Sequence, residues 1–191
     1  MNPPPLIPGE YYHIYNRGNN REDLFVEERN YHYFMELYAH HIEPVAETFA
    51  YCLLRNHFHF SVRIKDEPVK IPPSQAFSNL FNAYTRAFNQ MYQRTGALFQ
   101  RPFGRIRIES DAHFRVLIAY IHQNPQRHGF VDDFRDWPYS SYQAHLGTKP
   151  TRLRREDVLA WFDGKAGFIE MHQQVVEGSQ VSAFLPEDFE T

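Results

Sequence analysis

The chain has 191 residues, the length of one globular domain with a short extension, and its 42% hydrophobic and 23% charged residues exclude collagen-like and disordered proteins. A single cysteine, Cys52, excludes an internal disulfide framework and a zinc site built from several cysteines. The formal net charge of −3 argues, taken alone, against a nucleic-acid partner.

The first ten residues, MNPPPLIPGE, are rich in proline and predict an extended leader. They lack the basic region and the apolar core of a secretion signal. No apolar run in the chain approaches the ~20 residues needed to span a bilayer. We therefore expect a cytoplasmic protein without a membrane partner.

The pattern of apolar residues and turn formers predicts an α+β domain. Its elements are expected in the order strand 10–20, helix 26–41, strands 45–54 and 57–64, helix 74–94, strand 98–110, helix 111–125, and short helices at 155–162 and 167–178. Ser74 and Ser110 are the expected N-caps of the second and third long helices, and Pro125 is expected to end or kink the third. This order is close to the split β-α-β arrangement, in which helices pack on one side of an antiparallel sheet.

The charge is unevenly distributed along the chain. Between residues 86 and 127, seven arginines face two carboxylates, a net charge of +5, whereas residues 156–191 have a net charge of −7. Arginine is the side chain best shaped for bidentate contact with phosphate. The middle segment is therefore a candidate nucleic-acid-binding region, although a solvated face with ordinary ion pairs explains the pattern equally well.

The strand at 57–64 begins with a His-Phe-His triplet. Alternate side chains of a strand lie on the same face, so His57 and His59 project together with Cα atoms ~6.6 Å apart, while Phe58 points into the core. Two imidazoles at this spacing are able to bind one divalent ion. A pair of surface or hydrogen-bonded histidines is the alternative, because the chain has eleven histidines and chance pairs are common.

The helix after Ser110 places Tyr120 and Asn124 on one face, at positions i and i+4. The amide oxygen of Asn124 is a suitable ligand of a hard cation. Tyr120 stands between the apolar residues Ile118 and Ile121. Its alternative interpretation is therefore a half-buried aromatic residue of the core.

Five segments, in one order, resemble the REP-associated tyrosine transposases, relatives of the single-strand HUH transposases (IS200-like) of small bacterial insertion sequences. The segments are YYHIYNRGNN at 11–20, RNHFHF at 55–60, GALFQRPFGRIRIES at 96–110, YIHQNPQRHGFV at 120–131 and DWPYSSY at 136–142. They cover roughly residues 11–147. The resemblance implies a ferredoxin-like fold of the HUH-endonuclease type, with an antiparallel sheet and helices packed on it.

The resemblance also implies a metal-dependent endonuclease and strand transferase that acts on single-stranded DNA, as hairpins or repeats. His57 and His59 would hold a divalent cation, Mg²⁺ or Mn²⁺, and Tyr120 would attack phosphorus to leave a 5′-phosphotyrosine link and a free 3′-hydroxyl. Asn124, one turn after the tyrosine, would be the third ligand, with His122 and Gln123 as rivals. Because the pKa of a free phenol is near 10, the cation and a nearby arginine or water must help to ionise it.

Arginine side chains on and near these segments are candidate contacts to DNA phosphates, and a structural ion pair is the competing interpretation for each. The candidates are Arg17, Arg101, Arg105, Arg107 and Arg127. Arg127 follows the tyrosine helix, where it would stabilise charge at the scissile phosphate. Exposed aromatic residues such as Tyr15 or Phe103 would stack on unpaired bases.

Two features depart from the family pattern. Leu54-Arg55-Asn56 stands where relatives have a Met-Pro-Asn run, which predicts a different hairpin turn. Residues 148–191 form an acidic, helical extension that either mimics the DNA backbone or is simply solvated. The expected division is a leader at 1–10, a catalytic domain at 11–147 and this extension.

Two other functions stay open. A domesticated descendant would bind a DNA hairpin without cleaving it, and a small-molecule metalloenzyme would use only the histidine pair. The presence of His57, His59 and Tyr120 together favours the nuclease, because a protein that only binds DNA does not need all three. The sequence leaves the choice between a monomer and a homodimer undecided.

Overall fold

The computed structural model describes residues 4–67 and 69–176, so residues 177–191 of the acidic extension lie outside the described residues. Over these ranges the strands are β1 (Tyr11–Arg17), β2 (Ala46–Leu53), β3 (His57–Ile64) and β4 (Gly104–Ile108). The α-helices there are α1 (Glu28–His41), α2 (Pro73–Met91), α3 (Asp111–Arg127), α4 (Tyr142–Leu146), α5 (Arg155–Trp161) and α6 (Lys165–Gln173).

The strands form one antiparallel sheet in the order β2-β3-β1-β4. With the element order β-α-β-β-α-β, this is the ferredoxin-like sheet, and the predicted α+β class is confirmed. In the pairing of β1 with β3, His57 stands opposite Arg17 and His59 opposite Tyr15. Directly opposed residues share a face of the sheet, so both histidines project on the side of Arg17 and Tyr15.

Helices α1 and α2 cover the other face, which carries Phe58 and Phe60. Phe34 of α1 meets Phe58 with ring centroids 5.4 Å apart, and Tyr38 stacks on Phe60 at 4.3 Å. Such aromatic pairs contribute about 0.5–1.5 kcal/mol beyond the burial of their area. Phe, Trp and Tyr make up 16% of the chain, and much of this aromatic content therefore serves the core.

Helix α3 covers the face of the sheet that carries the histidines. Its Leu117, Ile118 and Ile121 are fully buried, in one cluster with Ala50 of β2 and Phe168 of α6. Helices therefore pack on both sides of the sheet, whereas the order of elements predicted helices on one side. The reason is that β3 is buried almost along its whole length, so both of its faces need a cover.

Helix ends agree with the predictions in part. Ser110 caps α3 as predicted, because its side chain accepts the His113 N–H at 3.2 Å. Helix α2 begins at Pro73, before the predicted cap Ser74, since the fixed φ of proline suits the first helical position. Pro125 lies inside α3, which continues to Arg127. Across the described ranges, none of the helices has the length and apolar character to cross a bilayer.

Candidate active site

The start of β3 and the last turns of α3 bring four of the predicted site residues together. The imidazole centroids of His57 and His59 are 5.2 Å apart, and the Tyr120 ring stands edge-on to His59 at 5.6 Å. Asn124 Oδ1 lies 3.4 Å from His57 Nε2. All four side chains are buried, with exposures of 5% or less. The i, i+4 spacing on α3 and the alternation on β3 thus converge on one point.

Two further side chains contact the Nδ1 atoms of the histidine pair. His13 Nε2 of β1 lies 2.9 Å from His59 Nδ1, and Asn56 Oδ1 lies 2.7 Å from His57 Nδ1. Neither residue was among the site residues predicted from the sequence. The signal for His13 was its position in β1, but only the register of β1 on β3 brings it to His59.

Burial keeps these imidazoles neutral. It lowers the pKa of His57 to about 3, with smaller contributions from His128 and the charge of Arg17. The pKa of His59 also lies well below its ordinary value, because the ring is buried and because His13 and His57 are adjacent. Neutral imidazole is the form that binds metal ions.

The donor atoms fit a divalent cation. Neutral His57 has one ring N–H. With that hydrogen on Nδ1, where Asn56 accepts it, Nε2 keeps its lone pair beside the Asn124 oxygen, and both atoms are available as ligands of a cation. Asn124 also interacts with His59. An imidazole whose second nitrogen is hydrogen-bonded is typical of metal sites. In the part of the chain that the structure describes, no three His, Cys, Asp or Glu side chains form a metal site, so a cation here would need the amide oxygen.

The two rival ligands point elsewhere. His122 Nδ1 lies 2.7 Å from His172 Nε2, and its Nε2 lies 2.7 Å from Ser141 Oγ. The Gln123 amide donates to the carbonyl of His172 at 3.0 Å and to that of Gln174 at 2.7 Å. Of the three candidates for a third ligand, Asn124 is therefore the one beside His57.

Known proteins similar to this chain agree with the resemblance seen in its sequence. No protein-family model matches the chain. A curated protein of Haemophilus influenzae, named "Putative REP-associated tyrosine transposase", is 32% identical over 108 residues, which are 52% of this chain; the chain spans 61% of that relative's length. A solved structure of a REP-associated tyrosine transposase bound to a REP hairpin has a similar fold, with a TM-score of 0.58 and 20% identity over 76% of this chain and 84% of that chain. The chain is similar in sequence and in fold to REP-associated tyrosine transposases.

Two of the five arginines that were predicted to contact DNA lie beside the buried tyrosine and histidines. Arg17 stands opposite His57 in the sheet. The Arg127 guanidinium lies 5.4 Å from the centroid of the Tyr120 ring, and its Nη1 donates to the Val176 carbonyl at 2.6 Å. Both bring positive charge to the neighbourhood of Tyr120 and His57.

The other three arginines lie on the opposite side of the sheet. Arg105 and Arg107 are paired with Ile14 and Tyr12, which point into the core under α1 and α2. Arg107 forms an ion pair with Glu10 at 2.9 Å. The Arg105 guanidinium lies 3.9 Å over the ring of Phe103, and no carboxylate within the described ranges pairs with it. The structure therefore does not bring these arginines to the tyrosine.

A cavity of about 300 Å³ adjoins Arg101 and Arg105, between α2 and the loop before β4. Arg101 Nη2 donates to Asn82 Oδ1 at 3.0 Å.

The expectation that Tyr15 and Phe103 are exposed is wrong, since each is 7% exposed. Tyr15 lies under α3, and Phe103 packs on Phe77 of α2, so neither ring is available for stacking on a base without a rearrangement.

Proposed function

We propose that the chain is a metal-dependent single-stranded DNA endonuclease and strand transferase that acts on hairpin or repeat DNA. The observation that carries this proposal is the meeting of Tyr120 with His57, His59 and Asn124. A phenol nucleophile and the donors for a divalent cation then lie side by side. A protein that only binds DNA needs neither.

In the proposed reaction, the Tyr120 oxygen attacks the scissile phosphorus. The bond from phosphorus to the 3′ oxygen breaks, the leaving strand takes a proton as a 3′-hydroxyl, and the 5′ phosphate stays on the tyrosine. A divalent cation, Mg²⁺ or Mn²⁺, held by His57, His59 and Asn124 would polarise the phosphate. The bond energy is kept in the phosphotyrosine, so a 3′-hydroxyl is able to reverse the step or to join a new strand.

The surrounding residues have supporting roles in this proposal. His13 and Asn56 hydrogen-bond the outer nitrogens of the histidines and thereby orient the rings toward the cation. Arg127 and Arg17 offset the charge that develops on the phosphate and favour ionisation of the phenol. The DNA partner is inferred from the solved transposase, whose structure holds a REP hairpin.

The test uses single-stranded hairpin oligonucleotides from the DNA that flanks the gene, labelled at either end. Wild-type protein is incubated with them and Mn²⁺ or Mg²⁺, and the products are separated on a denaturing gel. We expect the 3′ label to migrate with the protein and the 5′ label to appear on a shorter free strand. Tyr120→Phe is expected to form no adduct, because it lacks the attacking oxygen.

Tyr142→Phe is the matched control, since it removes a hydroxyl from another buried tyrosine on the α3 side of the sheet. It is expected to form the adduct as the wild type does. Chelation of the metal is expected to abolish the adduct in both proteins. Binding of the hairpins without any adduct, with either metal, would favour the domesticated hairpin-binding protein instead, and no affinity for DNA would contradict both functions.

A further inference from the structure

A second chain of buried polar groups lies on the side of α3 opposite Tyr120. It joins Ser141, His122 and His172 by two contacts of 2.7 Å, Ser141 Oγ to His122 Nε2 and His122 Nδ1 to His172 Nε2. His172 Nδ1 lies 2.7 Å from the Phe168 carbonyl. Exposure of Ser141, His122 and His172 is 2% or less.

One assignment of hydrogens satisfies the three contacts that the two histidine rings make in the chain. The Phe168 carbonyl only accepts, so His172 donates from Nδ1 and accepts at Nε2. His122 must then donate from Nδ1, and its Nε2 accepts the Ser141 hydroxyl. Burial lowers the pKa of both histidines, which agrees with one N–H on each ring.

The chain fastens α3 to β2 and α6. Ser141 also accepts the Tyr51 N–H of β2 at 2.9 Å, and His172 belongs to α6. The adjacent Gln123 reinforces the connection, since its amide group bonds the backbone of His172, Gln174 and Val176. The side of α3 opposite Tyr120 is thus held by directional bonds rather than by apolar packing alone.

Helix α3 needs such fastening close to the nucleophile. Pro125 has no N–H, so the Ile121 carbonyl loses its helical partner in the turn that carries Tyr120 and Asn124. Successive helical residues are rotated by about 100°, which puts His122 about 200° around the helix from Tyr120. A bond to His122 therefore sets the rotation that turns Tyr120 toward β3.

We propose that Ser141, His122 and His172 are positioning residues that hold α3 in the rotation in which Tyr120 and Asn124 face His57 and His59. The inference rests on the proposed function for its kinetic test. In the proposed reaction these residues contact neither the DNA nor the cation. Their loss is expected to slow the chemical step and to leave the affinity for DNA unchanged, because a misplacement of about 1 Å costs up to 100-fold in rate.

The kinetic experiment compares His122→Leu with His122→Gln, which retains one donor and one acceptor. We expect His122→Leu to lower the rate of adduct formation at saturating hairpin DNA by about 10- to 100-fold, with the half-saturating DNA concentration within about 2-fold of wild type. His122→Gln is expected to recover most of the rate. Ser141→Ala is expected to lie between the two.

His145→Leu is the matched control. His145 is as fully buried as His122, and its ring centroid lies 5.6 Å from that of His122, but no hydrogen bond joins the two rings. Its adduct rate is expected to stay within about 2-fold of wild type, although its melting temperature changes. An equal loss of rate in His145→Leu, or a wild-type rate in His122→Leu, would overturn the inference.

A measurement without catalysis separates this inference from the proposed function. In the wild type, nuclear Overhauser contacts are expected between the rings of Tyr120 and His59, whose centroids are 5.6 Å apart. The contacts are expected to disappear in His122→Leu and to return in His122→Gln. If no variant or wild type forms an adduct while these contacts follow the pattern, the nuclease proposal fails and the positioning inference stands. Unchanged contacts in His122→Leu would contradict the inference itself.

Discussion

Buried histidines are the unusual feature of this molecule at the scale of single residues. His122 of α3, His145 of α4 and His172 of α6 form a cluster that is separate from His57 and His59. Burial lowers the pKa of His145 and of His172 to about 4. A neutral imidazole is tolerated there because it packs on rings such as Phe168, 4.1 Å from His172.

This burial makes the stability of the protein dependent on pH. In the unfolded chain His145 and His172 each bind a proton near pH 6.5, but in the folded protein only near pH 4, so unfolding takes up protons as the pH falls. The free energy of unfolding is fully retained above pH 6.5 and decreases between pH 6.5 and 4. At pH 5 the decrease is about 2 kcal/mol for each histidine.

Urea denaturation at pH 7 and at pH 5 measures this decrease. His145→Leu is expected to lose about 2 kcal/mol less than the wild type between the two pH values, because one of the titrating groups is gone. The comparison is internal to each protein, so the stability of the variant at pH 7 does not enter. An identical pH dependence in the two proteins would show that His145 is not buried in its neutral form.

At the scale of elements, the edge strand β4 approaches β1 at a residue without a side chain. Gly104 stands opposite Tyr15, and a Cβ at this position would lie 2.2 Å from the Tyr15 ring. The Tyr15 ring in turn lies 4.9 Å from His13. The glycine therefore leaves room for the Tyr15 ring, which packs on His13, the residue that contacts His59 of the candidate metal site.

Gly104→Ala is expected to destabilise the protein by about 1–3 kcal/mol, because it forces Tyr15 out of its position. The free energy of unfolding from urea titrations measures the loss. In a Tyr15→Leu background the same substitution is expected to cost much less, since the ring that it meets is absent. An equal cost in both backgrounds would place the strain elsewhere in β4.

At the scale of the whole molecule, the sheet separates two groups of arginines. Arg17 and Arg127 lie on the side of the tyrosine, and Arg101 and Arg105 adjoin the cavity beside α2. Within the described ranges, no carboxylate pairs with Arg101 or Arg105, which leaves their charge available to phosphates. If all four arginines bind DNA phosphates, as predicted from the sequence, the DNA contacts both sides of the sheet.

Substitution of one arginine from each group tests this division. Arg101→Ala is expected to weaken hairpin binding and to reduce the slope of log affinity against log salt by about one phosphate contact, with the adduct rate at saturation unchanged. Arg127→Ala is expected to lower the saturated rate instead. Filter binding over a salt series and the adduct assay measure the two effects.

Arg152→Ala is the control for lost charge, because Arg152 pairs with Glu43 on a different part of the surface, at 3.2 Å. Its affinity and salt slope are expected to match the wild type. A similar loss of affinity in Arg152→Ala and Arg101→Ala would mean that the affinity for DNA depends on the net charge of the protein and not on the surface beside α2.

Much of the site was predictable because its pairs are local in the chain. His57 and His59 share a face through the two-residue period of a strand, and Tyr120 and Asn124 share a face through the turn of a helix. The neighbours of these pairs were not predictable in the same way. His13 reaches His59 across 46 residues of sequence, and its contact depends on the register of β1 against β3.

The sequence by itself determined the order of the strands and of the three long helices, the cap of α3 at Ser110 and the two local pairs, because periodicity, turns and caps arise between residues close together in the chain. Only the tertiary structure decided that α3 covers the face opposite α1 and α2 and that Asn124, rather than His122, meets the histidines. It also decided which arginines lie beside Tyr120. Each of these outcomes depends on how distant segments pack around a common core, and no short stretch of sequence contains that information.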